Sequence, residues 1–172
     1  MTDSDPAAPQ SPATPAAMRY IYDADTRPDL FEGILSKRIV AFVVDAVIIV
    51  ALIIPAALVI LILGFVTLGI GWLLYPALFA IVALGYVALT LGGPNSATLG
   101  MQFAGIEMRT WSGQKMFALL AVMHSLIFWF SVSFLTPLIL LVGLFTRRKQ
   151  LLHDLLIGVL AVNSDALRRN GP

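Results

Sequence analysis

The sharpest chemical feature of this chain is a carboxylate inside an apolar run. Asp45 stands in I-V-A-F-V-V-D-A-V-I-I-V, seven residues after Arg38. Seven residues is close to two helical turns, so Arg38 and Asp45 share a face of a helix. At about 1.5 Å per residue, Asp45 then lies roughly 10 Å along it. A charge at that depth in a spanning helix is costly and must meet protein, water or a partner rather than lipid. Such an acid can take up a proton or a cation, or it can be a packing charge held by Arg38 or by another helix. The flat guanidinium of Arg38 suits Asp45, Asp154 or a lipid phosphate equally. His124 follows Lys115 by nine residues, much as Asp45 follows Lys37 and Arg38. If both basic clusters mark one face, His124 and Asp45 sit at similar depth, and the pair could relay protons near neutral pH. A histidine bonded to a carbonyl or a serine is the plainer reading. His153 and Asp154 are neighbours in sequence, so on a helix they point different ways. Asp154 with His153 could close the mouth of the first helix against Arg38.

The elements that must position these groups are apolar. The run from Ser36 to Leu63 is long enough to cross a hydrocarbon layer of about 30 Å, and Pro55 is expected to kink it. Gly64 to Gly69 reads as a short turn. Ile70 to Leu91 is a second uncharged run, with Trp72, Tyr75 and Tyr86 placed to suit the interfaces. The two form a tight hairpin. Gly92 to Lys115 is the sizeable polar connection, and its stretch Phe103 to Thr110 reads as a small β-hairpin turning at Trp111 to Gly113. Met116 to Phe145 is 30 residues long. Either it crosses once, tilted or kinked, or it folds into two short helices breaking between about Phe130 and Pro137. The positive-inside rule favours the second helical hairpin, since Arg147 to Lys149 would then join the other basic clusters on the cytoplasmic side. Gln150 to Val162 is too short to span and reads as an interfacial or re-entrant helix.

Composition agrees. Of 172 residues, 59% are hydrophobic and 12% charged, with mean hydropathy +0.89; a soluble domain carries about twice that share of charge. Residues 1–32 read as a disordered Pro/Ala-rich cytoplasmic tail, with Leu30, Phe31, Ile34 and Leu35 making a short amphipathic turn at its end. Residues 33–162 form the transmembrane domain and residues 163–172 a polar tail. The acidic start does not resemble a secretory signal, so the first helix is expected to direct insertion. There is no cysteine, so disulfide and thiolate chemistry are excluded. No P-loop, G-x-S-x-G, H-E-x-x-H or dinucleotide fingerprint occurs. The expectation is a non-enzymatic, all-α integral membrane protein with no cofactor, no metal and no nucleic-acid partner.

Arg38, Asp45, the segment Thr98-Leu99-Gly100 followed by Gly105 and Ile106, and the segment Leu152-His153-Asp154 with Gly158 stand in an order that resembles the RDD family of small bacterial membrane proteins. The family is named for one arginine and two aspartates, which here match Arg38, Asp45 and Asp154. Met101, His124 and Val159 depart from the residues usual at those places. The resemblance covers about residues 33–162. It implies a multi-pass protein of the bacterial inner membrane, with its N-terminus cytoplasmic, that transports an ion or small solute coupled to a proton or monovalent cation. Arg38, Asp45, His124, His153 and Asp154 would then bind or gate. The partners would be the lipid bilayer and further copies of the chain or another membrane protein. The alternative is a scaffold whose charges only hold helices together.

Overall fold

The computed structural model describes residues 22–146 and 148–170, with the backbone alone for 132, 134–145 and 170. The expected tail 1–21 and Arg147 lie outside the described residues. A 3-10 turn, Pro28–Leu30, leads into α1, Ile34–Val66, which runs without interruption through Pro55. Gly69, at φ 102°, turns the chain back. The return leg is a 3-10 segment, Ile70–Ala77, and then α2, Leu78–Thr90. Among the described residues, Pro28–Val66 and Ile70–Thr90 are the stretches long and apolar enough to cross a membrane. Gly64 and Gly71 let the two legs touch. A Cβ on Gly71 would come 2.6 Å from Gly64 N, closer than real contacts allow.

The polar connection holds α3, Leu99–Ala104, a six-residue helix capped by the Thr98 side chain, and then strand β1, Ile106–Thr110. Then come α4, Ala118–Phe145, α5, Leu152–Ile157, strand β2, Val159–Asn163, and α6, Ser164–Asn170. Several expectations are corrected. β1 pairs antiparallel with β2, Ile106 against Asn163 and Thr110 against Val159, so the fold is helical with a small sheet rather than all-α. Of the expected hairpin only a single bridge survives, Arg109 to Lys115. The residues read as a C-terminal interfacial helix and polar tail instead become α5, β2 and α6. Residues 22–32 pack onto this sheet instead of trailing. Tyr22, Leu30, Phe31 and Ile34 are buried among Ile106, Met108 and Leu160, and Asn163 Nδ2 donates to Asp29 O and Glu32 O.

A further correction concerns the run 116–145, of which Ala118–Phe145 forms one helix and not two. It is bent all the same. Thr146 Oγ1 donates to Gln150 O, Leu151 N donates to Asp154 Oδ2, and Asp154 Oδ1 lies 2.9 Å from His124 Nε2. Chained together, these contacts hold Thr146 closer to His124 than the roughly 33 Å that a straight helix over that stretch would extend. Pro137 lies within this helix and supplies no N–H to the ladder.

Two environments result. The cap, built from the N-terminal turn, the sheet, α5 and α6, has an ordinary buried core: Leu30, Ile106, Met108, Leu160 and Val162 are all but inaccessible. The hairpin does not. Ile54 is 70% exposed, Leu73 77% and Leu89 80%. A soluble protein rarely leaves so continuous an apolar surface open.

Candidate functional site

The five candidate residues fall into two clusters, not one network. In the first, α5 presents Asp154 to the start of α1. Asp154 occupies the third position of its helix, and its Oδ2 accepts from Leu151 N at 3.0 Å, one half of a capping box. Arg38 meets the carboxylate with both Nη atoms, Nη2 donating to Oδ1 at 2.9 Å and Nη1 to Oδ2. From α4, His124 Nε2 lies 2.9 Å from Oδ1. The carboxylate is completely buried and the Arg38 side chain 10% exposed. Burial alone would raise the Asp154 carboxyl; the Arg38 guanidinium and the bonds from His124 and Arg38 outweigh it and hold the group far below the usual carboxylate range. The bidentate geometry explains why arginine and not lysine stands here.

His153 closes this cluster. Its Nε2 is 3.5 Å from Asp154 Oδ1, and its ring stands edge-on to those of His124 and Phe128, with centroids 4.9 and 5.2 Å away. Its Nδ1 is buried without a hydrogen-bond partner. Burial pushes the His153 imidazole down to about 4, with Asp154 opposing and His124 and Arg38 adding, so the ring is neutral at physiological pH. His124, His153 and Asp154 bring one ligand atom each within 4.8 Å of one another. The spacing alone would suit a metal. Both Asp154 oxygens already accept two bonds, however, so a cation would have to displace Arg38. The geometry describes a lock that fastens the cap to α1 and α4.

The second cluster is built on Asp45. Its carboxylate accepts from Tyr86 Oη at 2.6 Å, Thr98 Oγ1 at 2.6 Å and Gly100 N at 2.8 Å. These donors come from α2, from the residue capping α3, and from α3 itself. Among the described residues no cation lies within ion-pair distance of Asp45. Arg38 is committed to Asp154, and the expected His124–Asp45 pair does not form. Equal counting depth on two helices fixes neither helix's rotation nor its neighbours. Tyr86, Thr98 and Gly100 enter the site with little warning in the sequence. Thr98 and Gly100 carried one signal, their place in the Thr98-Leu99-Gly100 segment; Tyr86 read only as an interfacial aromatic.

Gly100 is there because nothing larger fits. A Cβ would collide with Ala41 O on α1 and sit 2.7 Å from Asp45 Oδ1. Both neighbours are fixed, one as backbone and the other by its three bonds. Gly100→Ala should therefore lower stability by about 1–3 kcal/mol through overpacking. Gly85→Ala is the control, because nothing lies within 4 Å of a Cβ there; thermal unfolding in one detergent should separate the two.

The model of the RDD family matches residues 33–158. The chain belongs to the RDD family. No curated protein and no solved structure matches it. The matched range takes in both clusters of this RDD protein and ends at Gly158, just before β2. The last strand and α6 therefore complete the cap from outside the matched region.

Proposed function

We propose that this RDD protein is a multi-pass protein of the bacterial inner membrane, and that it binds a proton or monovalent cation at Asp45 while moving an ion or small solute. The observation that carries the reading is a half-buried carboxylate within the apolar length of α1, held by neutral donors and facing no counter-cation among the described residues. Intramembrane acids of this kind mark ion and proton pathways. The hydroxyls of Tyr86 and Thr98 can rotate, so the oxygens now donating to Asp45 can turn their lone pairs toward a hard monovalent cation. The Arg38–Asp154–His124 cluster is, in this reading, the fixed frame against which the Asp45 site works. The exposed faces of α1 and α2 support embedding in lipid or against further copies of the chain.

The scaffold reading draws on one specific observation, that the oxygens of Asp154 are fully occupied, as a purely structural charge should be. Asp45→Asn separates the two. The asparagine keeps the shape of the site and can still accept the bond from Gly100 N. Cation-driven pH change in everted vesicles, at matched membrane levels, should fall to background in the variant while its thermal stability stays within about 1 kcal/mol. No cation-dependent signal from the unaltered protein above empty vesicles would sink the transport reading, and the scaffold reading would then stand.

A further inference from the structure

The segment that delivers Gly100 to Asp45 has an unusual backbone arrangement. The first N–H groups of a helix have no partner within it and ordinarily turn to water. In α3 each is taken by a side chain. Leu99 N donates to Tyr86 Oη at 3.1 Å, Gly100 N to Asp45 Oδ1 at 2.8 Å, and Met101 N to Thr98 Oγ1 at 3.1 Å. Two of these acceptors belong to the long apolar helices themselves. The polar side chain on α3 is satisfied as well, Gln102 Nε2 donating to Ala97 O at 3.1 Å and its Oε1 accepting from Asn95. Backbone outside a regular span is tolerated at membrane depth only when its polar groups are met by protein in this way.

The outer face of α3 is apolar. Leu99 and Phe103, one turn apart, are 47% and 76% exposed. The inner face, at Gly100, touches α1 at Ala41 and Asp45. The open apolar surface of α1 begins at Ile39, 59% exposed, and continues through Phe42, Val43 and Val47. Ala41 and Asp45 therefore lie roughly 3 and 9 Å beyond the start of that surface, at about 1.5 Å per residue. Gly100 thus brings α3 against α1 at residues on the apolar side of Lys37 and Arg38.

We propose that residues 95–105 are a membrane-dipping segment, and that lipid acyl chains cover Leu99 and Phe103. The proposal rests on the reading that α1 and α2 cross a membrane. It adds that the connection after α2 does not stay in water but enters the outer hydrocarbon, carrying the neutral donors of Asp45 down to it. This gives the side-chain capping a reason: the N-terminal donors of α3 are met by protein because water does not reach them.

The chain has no cysteine, so single cysteines report cleanly. Phe103→Cys, Val47→Cys and Ser112→Cys would each be spin-labelled in the full chain, in vesicles of phosphatidylcholine with phosphatidylglycerol. Accessibility to oxygen and to a water-soluble nickel chelate would then be compared. Val47, on α1, should favour oxygen strongly, and Ser112, on the exposed turn, the chelate. Position 103 should favour oxygen severalfold over position 112, with a shallower depth than position 47. Leu99→Cys provides a second site on the same face should the label at 103 disturb folding. If positions 99 and 103 behave like 112 while 47 reads as lipid, α3 lies in water and the proposal falls alone. If neither reagent reaches 99 or 103, protein such as a second copy covers the face, and the acyl-chain assignment falls. If position 47 also favours the chelate, the membrane reading fails and takes this proposal with it.

Discussion

Replacing Arg38 with alanine is expected to cost the folded state about 3–5 kcal/mol, the usual range when one partner of a buried ion pair is removed. Asp154 is wholly buried, and without Arg38 it keeps only His124 Nε2 and Leu151 N as close donors. Neither carries the fixed charge that offsets its desolvation. The loss should far exceed that from Arg27→Ala, whose partner Asp29 is substantially exposed and whose pair falls in the surface class worth about 0–1 kcal/mol. Thermal unfolding of the two variants in the same detergent makes the comparison. The double change Arg38→Met with Asp154→Leu should recover much of the loss, because it removes the orphaned charge along with its partner. A double variant no more stable than Arg38→Met alone would show that the pair does not couple and that the cap is fastened some other way.

The weight of that one pair follows from what else joins the cap to the helices. α1 reaches the sheet through Arg38 and through Lys37, whose Nζ donates to Asn163 Oδ1. Asn163 in turn holds the N-terminal turn. The two basic residues that the sequence places at the start of the first helix therefore meet the C-terminal segment rather than lipid headgroups. The pairing of Arg38 with Asp154 was legible as one of three choices, because few groups satisfy a guanidinium at that depth. What separated the choices was the path of residues 146–154, and a compact turn after a bent helix leaves no periodic mark.

The other differences have similar causes. β1 and β2 are far apart in sequence, so their pairing rests on a long-range contact that neither strand announces. The local turn at Trp111 to Gly113 does form, with Gly113 at φ 80°, but it makes one bridge and no ladder. α3 is too short for helical periodicity to register. By contrast, the two long apolar runs were plain from length alone, since about 20 residues without charge leave little else for a helix to do. Asp45 was visible as an anomaly in its run, while its pairing with Tyr86, Thr98 and Gly100 was not. They lie 41 to 55 residues away and are ordinary hydroxyl and amide groups. A buried charge advertises itself in sequence; the neutral donors that satisfy it do not.

His153 should make the protein lose stability on mild acidification. Unfolded, a histidine titrates near about 6.5; in the cap its imidazole is pushed down to about 4, chiefly by burial. Between those values the unfolded chain holds a proton that the folded chain excludes, so stability rises with pH across the window. The contribution is complete above about 6.5 and is lost as pH falls toward about 4, amounting to on the order of 3 kcal/mol at most. The groups facing the ring are Asp154, which favours its protonation, and His124 and Arg38, which oppose it. Asp154, held far below the usual carboxylate range, begins to lose its own contribution only as the pH falls into that range, at the acid edge of this window, so the upper part of the window reports His153. His153→Phe keeps an aromatic ring against Phe128 and removes the titrating nitrogens. It should flatten the dependence of the unfolding temperature between about pH 6.5 and 4, relative to the unaltered chain. Curves of equal slope for the two proteins would mean that His153 does not stay neutral in the fold and that Asp154 outweighs burial at its ring.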